Sequence, residues 1–254
     1  MLRNLLVCGL AAGVCAGSLA TGFAELAGEP AVNQAIAFEH AQAAAAGAPH
    51  EAAVVSRGVQ RSIGLLAGSV VYGLALGGLF ALAFAAVYGR VGRASPARTA
   101  LWLAAAAFLV VFLVPFVKYP ASPPAATNPD TIGQRTALYG VMIAVSLFAA
   151  VTAVRLRGRL SKRRSAATAT LLAAASYVLV VVAAGLALPG TDEVPATFPA
   201  VTLWRFREAA VGTQLVMWST IGLVFAAGAQ RVMARVASGM QPSATSPGSP
   251  AATE

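Results

Sequence analysis

Apolar residues along this chain come in long blocks, not in the alternation of a half-buried strand or the single stripe of a soluble helix. The blocks fall at 4–24, 62–88, 99–117, 136–154, 167–188 and 209–230, and none holds an acid or base in its central part. About 20 apolar residues cross about 30 Å of hydrocarbon at a rise of about 1.5 Å per residue. The pattern predicts an all-α polytopic membrane protein, a bundle of six transmembrane helices with ordered outer loops, spanning residues 1–238. The segment 239–254 is Ser, Pro, Ala and Thr-rich without hydrophobic pattern, which predicts a disordered tail. Met1-Leu2-Arg3-Asn4 also resembles the start of a secretory signal. The apolar run reaches Ala24, however, longer than the roughly 7–15 residue core of a signal, so a retained helix is expected over a cleaved one.

Composition agrees. Of 254 residues, 58% are hydrophobic and 11% charged, against about a quarter charged in a soluble domain. An ordinary soluble enzyme and a disordered chain are both excluded. The net charge of +9 would suggest nucleic acid on a soluble protein; in a membrane protein it sets orientation, and no nucleic-acid partner is expected. Arg3, Arg90, Arg93, Arg98, Arg155, Arg157, Arg159, Lys162, Arg163, Arg164, Arg231 and Arg235 place 12 of the 18 bases on one side of six spans. The other side carries Arg57, Arg61, Lys118, Arg135, Arg205 and Arg207 together with eight of the nine acids. The positive-inside rule makes the 12-base side cytoplasmic, with both termini there, in a multi-pass protein of the cell membrane. Tyr88, Trp102, Tyr119 and Trp204 fall at predicted helix ends, where amphipathic rings favour the interface.

Glycines mark the packing faces. Gly9, Gly13 and Gly17 recur at four-residue spacing in the first helix, and Gly64, Gly68, Gly73 and Gly77 line the second. Small residues let backbones approach where lipid offers no hydrophobic force, either within the bundle or across a homo-oligomer. Pro115 should kink or end the third helix. Three outer loops follow from the spans. The long first one is Ala-rich over 31–46 and reads as helical until Gly47 and Pro49. The second, 118–130, is stiffened by four prolines, and Thr131 with Gln134 has the spacing of a capping box. The third holds Asp192, Glu193, Pro195 and Pro199.

Chemistry is sparse. No Gly-x-x-x-x-Gly-Lys-Ser/Thr phosphate loop occurs and no nucleophile–base grouping suggests itself, so no enzymatic activity is expected. Cys8 and Cys15 share the first apolar block and suggest neither a disulfide framework nor a zinc site. Glu39-His40 and His50-Glu51, separated by nine residues, form a candidate metal-capture loop, because imidazole with carboxylate suits cobalt, nickel or zinc. The competing reading is a solvated loop. Asp130, Asp192 and Glu193 are candidates for an outer vestibule, where carboxylates strip part of a cation's hydration shell; the competing role is helix initiation and ion pairing. Arg205, Arg207 and Glu208 at the start of the last helix suggest structural ion pairs with each other or with Asp192 and Glu193. Midplane polar residues are few: Ser69, Ser146, Ser176, Thr213 and Gln214. A transporter and a non-transporting membrane scaffold are both compatible with this inventory.

The strings Val-Ser-Arg57-Gly-Val-Gln-Arg61, Val-Pro115-Phe-Val-Lys118-Tyr-Pro120, Asn128-Pro-Asp130-Thr-Ile-Gly-Gln-Arg135-Thr, and Val194-Pro-Ala-Thr-Phe-Pro199 followed by Leu203-Trp-Arg205-Phe-Arg207 resemble the CbtA family. The resemblance runs from the first helix to about Ala234. It implies a membrane subunit of a divalent-metal uptake system with cobalt as the transported ion and no permanently bound cofactor. It also implies a link to cobalamin synthesis and a small CbtB-like partner with one membrane helix and a histidine-containing end. Many members of the family it resembles carry a more His-rich first outer loop. This chain keeps only His40 and His50 there, which shifts the expected metal site toward the partner.

Overall fold

The computed structural model describes residues 1–47, 56–92, 94–191 and 193–239. The tail expected to be disordered lies, beyond Gly239, outside the described residues, as do His50, Glu51 and Asp192. The described chain is helical without strands, and six helices are long and apolar enough to cross a membrane. They are α1 (Leu2–Ala45), α2 (Arg57–Val87), α3 (Pro96–Lys118), α4 (Pro129–Leu160), α5 (Ala166–Ala187) and α6 (Ala200–Gly239).

Helix α1 forms the centre of the bundle, lying against α2 and α6, and α3 closes on α6. The α1–α2 crossing is built on glycine. A Cβ on Gly9 would meet the carbonyl oxygen of Gly77, one on Gly13 that of Gly73, and one on Gly17 the oxygen of Ser69 at 2.5 Å. The reciprocal overlaps hold for Gly73 and Gly77, so backbone rests on backbone along two turns of each helix. Gly64 and Gly68 lie outside this seam: a Cβ on Gly68 would meet nothing within 4 Å, and one on Gly64 only Val59 of its own helix. The four-residue repeat turns away from α1 at that end.

Below the seam the space between helices is filled by rings. Phe225 of α6 meets Phe80 and Phe84 of α2 edge-on, with centroids 5.1 and 5.0 Å apart, and Phe84 stacks on Tyr88. These edge-to-face contacts add about 0.5–1.5 kcal/mol each beyond the burial of the rings. Trp218 is buried in the same core, away from any interface.

Helices α4 and α5 form a separate hairpin. They pack on each other, with Ser146 and Tyr177 hydroxyls 2.9 Å apart and Arg157 Nε donating to Thr170 Oγ1 at 2.9 Å. The hairpin joins the rest chiefly through α3. Leu171, Leu179 and Leu186 of α5 face outward, as a lipid-exposed helix requires.

Three helices carry widened π turns, at Ala24–Gly28 in α1, Gln60–Gly64 in α2 and Phe108–Leu113 in α3. The last one stands immediately before Pro115. Proline lacks the N–H that the preceding turn would use, and the widened turn just before it absorbs the mismatch, so the helix runs on to Lys118. The first π turn lets α1 continue without a break into the Ala-rich segment, which is an extension of the first helix, not a separate loop helix. Gly47, at φ +65°, ends it in the left-handed conformation.

The extension supports a small outer cap. Phe38 packs edge-on against Phe198 at 5.1 Å, with Ala35 and Ala126 buried beside them. Thr202 Oγ1 donates to Gln34 Oε1 at 2.9 Å, and Arg57 Nη2 bonds Glu29 Oε2 at 2.7 Å, tying the start of α2 to α1.

Candidate functional site

The two proline-stiffened outer loops meet over α4 and α6 and line an open cavity of about 640 Å³. Its walls include Lys118, Tyr119 and Ser122 from the 118–130 loop, Arg135 and Tyr139 from α4, and Arg207 from α6. Tyr119 is buried and donates its hydroxyl to the Pro189 carbonyl at 2.9 Å, which staples the loops together; it is not the interfacial anchor its position suggested. Burial raises its phenol above the usual value, so it stays a neutral donor. Arg207 Nε donates to the Ala121 carbonyl at 3.3 Å.

The expected vestibule carboxylates are placed differently. Glu193 is not in the cavity wall. It accepts from Thr131 Oγ1 at 2.7 Å and from the Asn128 N–H at 3.3 Å, and lies 3.6 Å from Arg135 Nε. It thereby fixes the start of α4 to the third loop. Asn128, three residues before the expected cap, supplies the N-cap: its side chain accepts from the Asp130 N–H at 3.0 Å. Thr131 makes no side-chain cap, because its hydroxyl is turned to Glu193 and the Asn128 carbonyl. Asp130 sits exposed in that first turn, where a carboxylate suits the positive end of the helix.

The other candidates also separate. Glu39 and His40 are exposed on the α1 extension, while His50 and Glu51 lie outside the described residues. Neighbouring residues diverge on a helix, so Glu39 and His40 do not face one point. Among the described residues no group of three or more His, Cys, Asp and Glu side chains is placed to hold a metal ion. Arg205 and Glu208 are exposed. The two salt bridges among the described residues, Arg57–Glu29 and Arg135–Glu193, include none of Arg205, Arg207 and Glu208. Among the described residues the expected ion-pair cluster does not form: Arg207 gives its Nε–H, one of five guanidinium donors, to a loop carbonyl, and the expected partner Asp192 lies outside them.

A polar set deeper in the membrane was only partly visible in the sequence. Tyr139 forms part of the cavity wall and stands next to Tyr72 of α2, whose phenol faces the side chain of Gln214 on α6. Gln214 Oε1 is buried without a hydrogen-bond partner, and one turn further along α6 the indole N–H of Trp218 is also buried and unpartnered. Gln214 stood out as a midplane polar residue. The two tyrosines did not, since each lies in a long apolar run on a different helix and only the folded bundle brings them together. Buried amide oxygens normally find a donor. The Gln214 amide and the Tyr72 phenol together place polar groups in a stretch of the bundle that is otherwise apolar. At the opposite end of the bundle a second cavity, of about 410 Å³, opens between Leu5, Phe84, Tyr88, Arg90 and Met233.

No curated protein and no solved structure matches the chain. The family model described as "Probable cobalt transporter subunit (CbtA)" does match, over residues 2–230. That match takes in five membrane helices whole and α6 as far as residue 230, with the outer cavity and Gln214, and on it this multi-pass membrane protein belongs to the CbtA family.

Proposed function

We propose that this chain is the membrane subunit of a divalent-metal uptake system, that its cargo is cobalt, and that the metal serves cobalamin synthesis. The family match over residues 2–230 carries the reading. The buried Gln214 amide beside the Tyr72 phenol supports it by placing polar groups inside the bundle. The protein performs no chemistry on its cargo and holds no permanent cofactor. A small single-helix membrane partner completes the system. The word "subunit" in the family description supports a partner, and the outward apolar face of α5 leaves room for another transmembrane helix.

A membrane potential suffices as driving force. A divalent cation moving inward gains about 4.6 kcal/mol per 100 mV, twice the single-charge value. That corresponds to about three decades of accumulation. Purified protein in liposomes, with and without the small partner, should therefore accumulate radioactive cobalt when the interior is made negative, and lose the gradient when the potential is collapsed. No potential-dependent uptake in either preparation returns the chain to the alternative reading, a non-transporting scaffold. That alternative draws on the absence of a metal-ligand group among the described residues.

The orientation follows from charge: the side holding 12 of 18 bases faces the cytoplasm, with both termini. Reporters fused after Ala44 and after Val236 should then signal opposite sides of the membrane. Signals from the same side would invalidate the six-span topology.

A further inference from the structure

Three cationic side chains, Lys118, Arg135 and Arg207, line the outer cavity, and its described lining contains no carboxylate. Glu193 stands behind Arg135, at 3.6 Å from Nε and outside the cavity wall, and offsets one of the three charges. Asp192, next to the lining residue Thr191, is outside the described residues. The Arg135 Nε–H is buried with no hydrogen-bond acceptor, although an arginine donor in such a position normally has one. Lys118 projects its ammonium to 5.6 Å from the Tyr119 ring, so its donors too are not taken up by a carboxylate among the described residues. Hydroxyls of Ser122 and Thr127 share the same space. Such a cavity repels a bare divalent cation and attracts an oxyanion, which accepts from several guanidinium and ammonium donors at once.

We propose that the outer cavity is an oxyanion site that takes a phosphate group. Two sources supply that chemistry, the headgroup of an anionic phospholipid, whose phosphate no choline neutralises, and free phosphate. The rim favours the lipid. Val117 and Ile132, which line the cavity, are 77% and 56% exposed, so an apolar surface suited to acyl chains runs directly into the basic pocket. The proposal is separate from the metal reading, and its test involves no metal.

The thermal midpoint of the purified full-length protein is measured in nanodiscs of phosphatidylcholine, with phosphatidylglycerol added at one fifth of the lipid, and with inorganic phosphate added to the phosphatidylcholine discs. A ligand at about tenfold over its Kd should raise the midpoint by about 3 °C for a chain of this size. A rise with phosphatidylglycerol alone assigns the site to a lipid headgroup; a rise with phosphate assigns it to the free anion. Either rise should vanish in Lys118→Gln/Arg207→Gln and survive in Arg163→Gln/Arg164→Gln, which removes bases from the opposite side of the membrane. Because the first double variant also removes the Arg207 bond to Ala121, Lys118→Gln alone is run beside it and should lose part of the rise. No rise with either additive overturns the proposal. So does a rise that both Lys118→Gln variants retain in full, or one that disappears with the Arg163/Arg164 pair.

Discussion

Gly13→Leu should leave little or no folded protein. A Cβ at Gly13 is directed at the carbonyl oxygen of Gly73, and a Cβ at Gly73 at that of Gly13, so the overlap is backbone against backbone. No rotamer change relieves it. Overpacking costs about 1–3 kcal/mol where side chains can shift. Here the two helices must separate, and the loss spreads to the neighbouring pairs Gly9–Gly77 and Gly17–Ser69. Native proteins hold only about 5–15 kcal/mol in total. Gly13→Ala should already lower the thermal midpoint in detergent, even though alanine is favoured over glycine in a helix by about 1 kcal/mol. Gly68→Ala supplies the contrast. Its Cβ meets nothing within 4 Å, so the propensity gain stands alone and the midpoint should hold or rise. Native-like yield and melting for Gly13→Leu would show that the α1–α2 seam does not carry the fold.

The six spans were legible because hydrocarbon enforces a length and bars charge, and both constraints are written in the order of residues. The glycine seam was legible at Gly9, Gly13 and Gly17, but on α2 the repeat alone could not separate Gly73 and Gly77, which touch α1, from Gly64 and Gly68, which do not. The crossing point of two helices decides that, and it is a property of the bundle. The same holds at the outer face. Proline content foretold stiff loops, and they do fold over the helix ends. Which charges they turn inward depended on local competition. Thr131 and the Asn128 amide claim Glu193, while Arg207 is drawn to a loop carbonyl, and a basic cavity results where an acidic one was expected. The helicity of residues 31–46 follows from their alanines, but their continuity with the first span, from Leu2 to Ala45, does not. A π turn at Ala24–Gly28 leaves no break in composition, and Pro30 is tolerated in the first turn after it.

Gln214→Leu should remove at least nine tenths of cobalt uptake while leaving the protein as stable as before. The two halves of that result come from the same observation. An amide oxygen buried without a donor costs about 1–3 kcal/mol relative to a satisfied one. Replacing Gln214 with an apolar side chain of similar volume removes the buried oxygen and gives up only its contact with the Tyr72 phenol, which is itself 46% exposed. Its place on α6, beside the Tyr72 phenol, fits service to a transient ligand that reaches it by a route other than the basic outer cavity. Tyr139→Phe and Tyr72→Phe keep the rings and remove one hydroxyl each, so their uptake should fall by less than that of Gln214→Leu. Trp218→Phe removes the other unpartnered group on the same helix but no acceptor oxygen, and should leave uptake nearly unchanged. The measurement is initial cobalt uptake at fixed membrane potential in liposomes, normalised to folded protein, beside the thermal midpoint of each variant. Full uptake by a stable Gln214→Leu protein would remove this residue from the ion path. A midpoint that drops together with uptake would make it a packing residue, and the crossing point would then lie elsewhere in the bundle or against the partner helix.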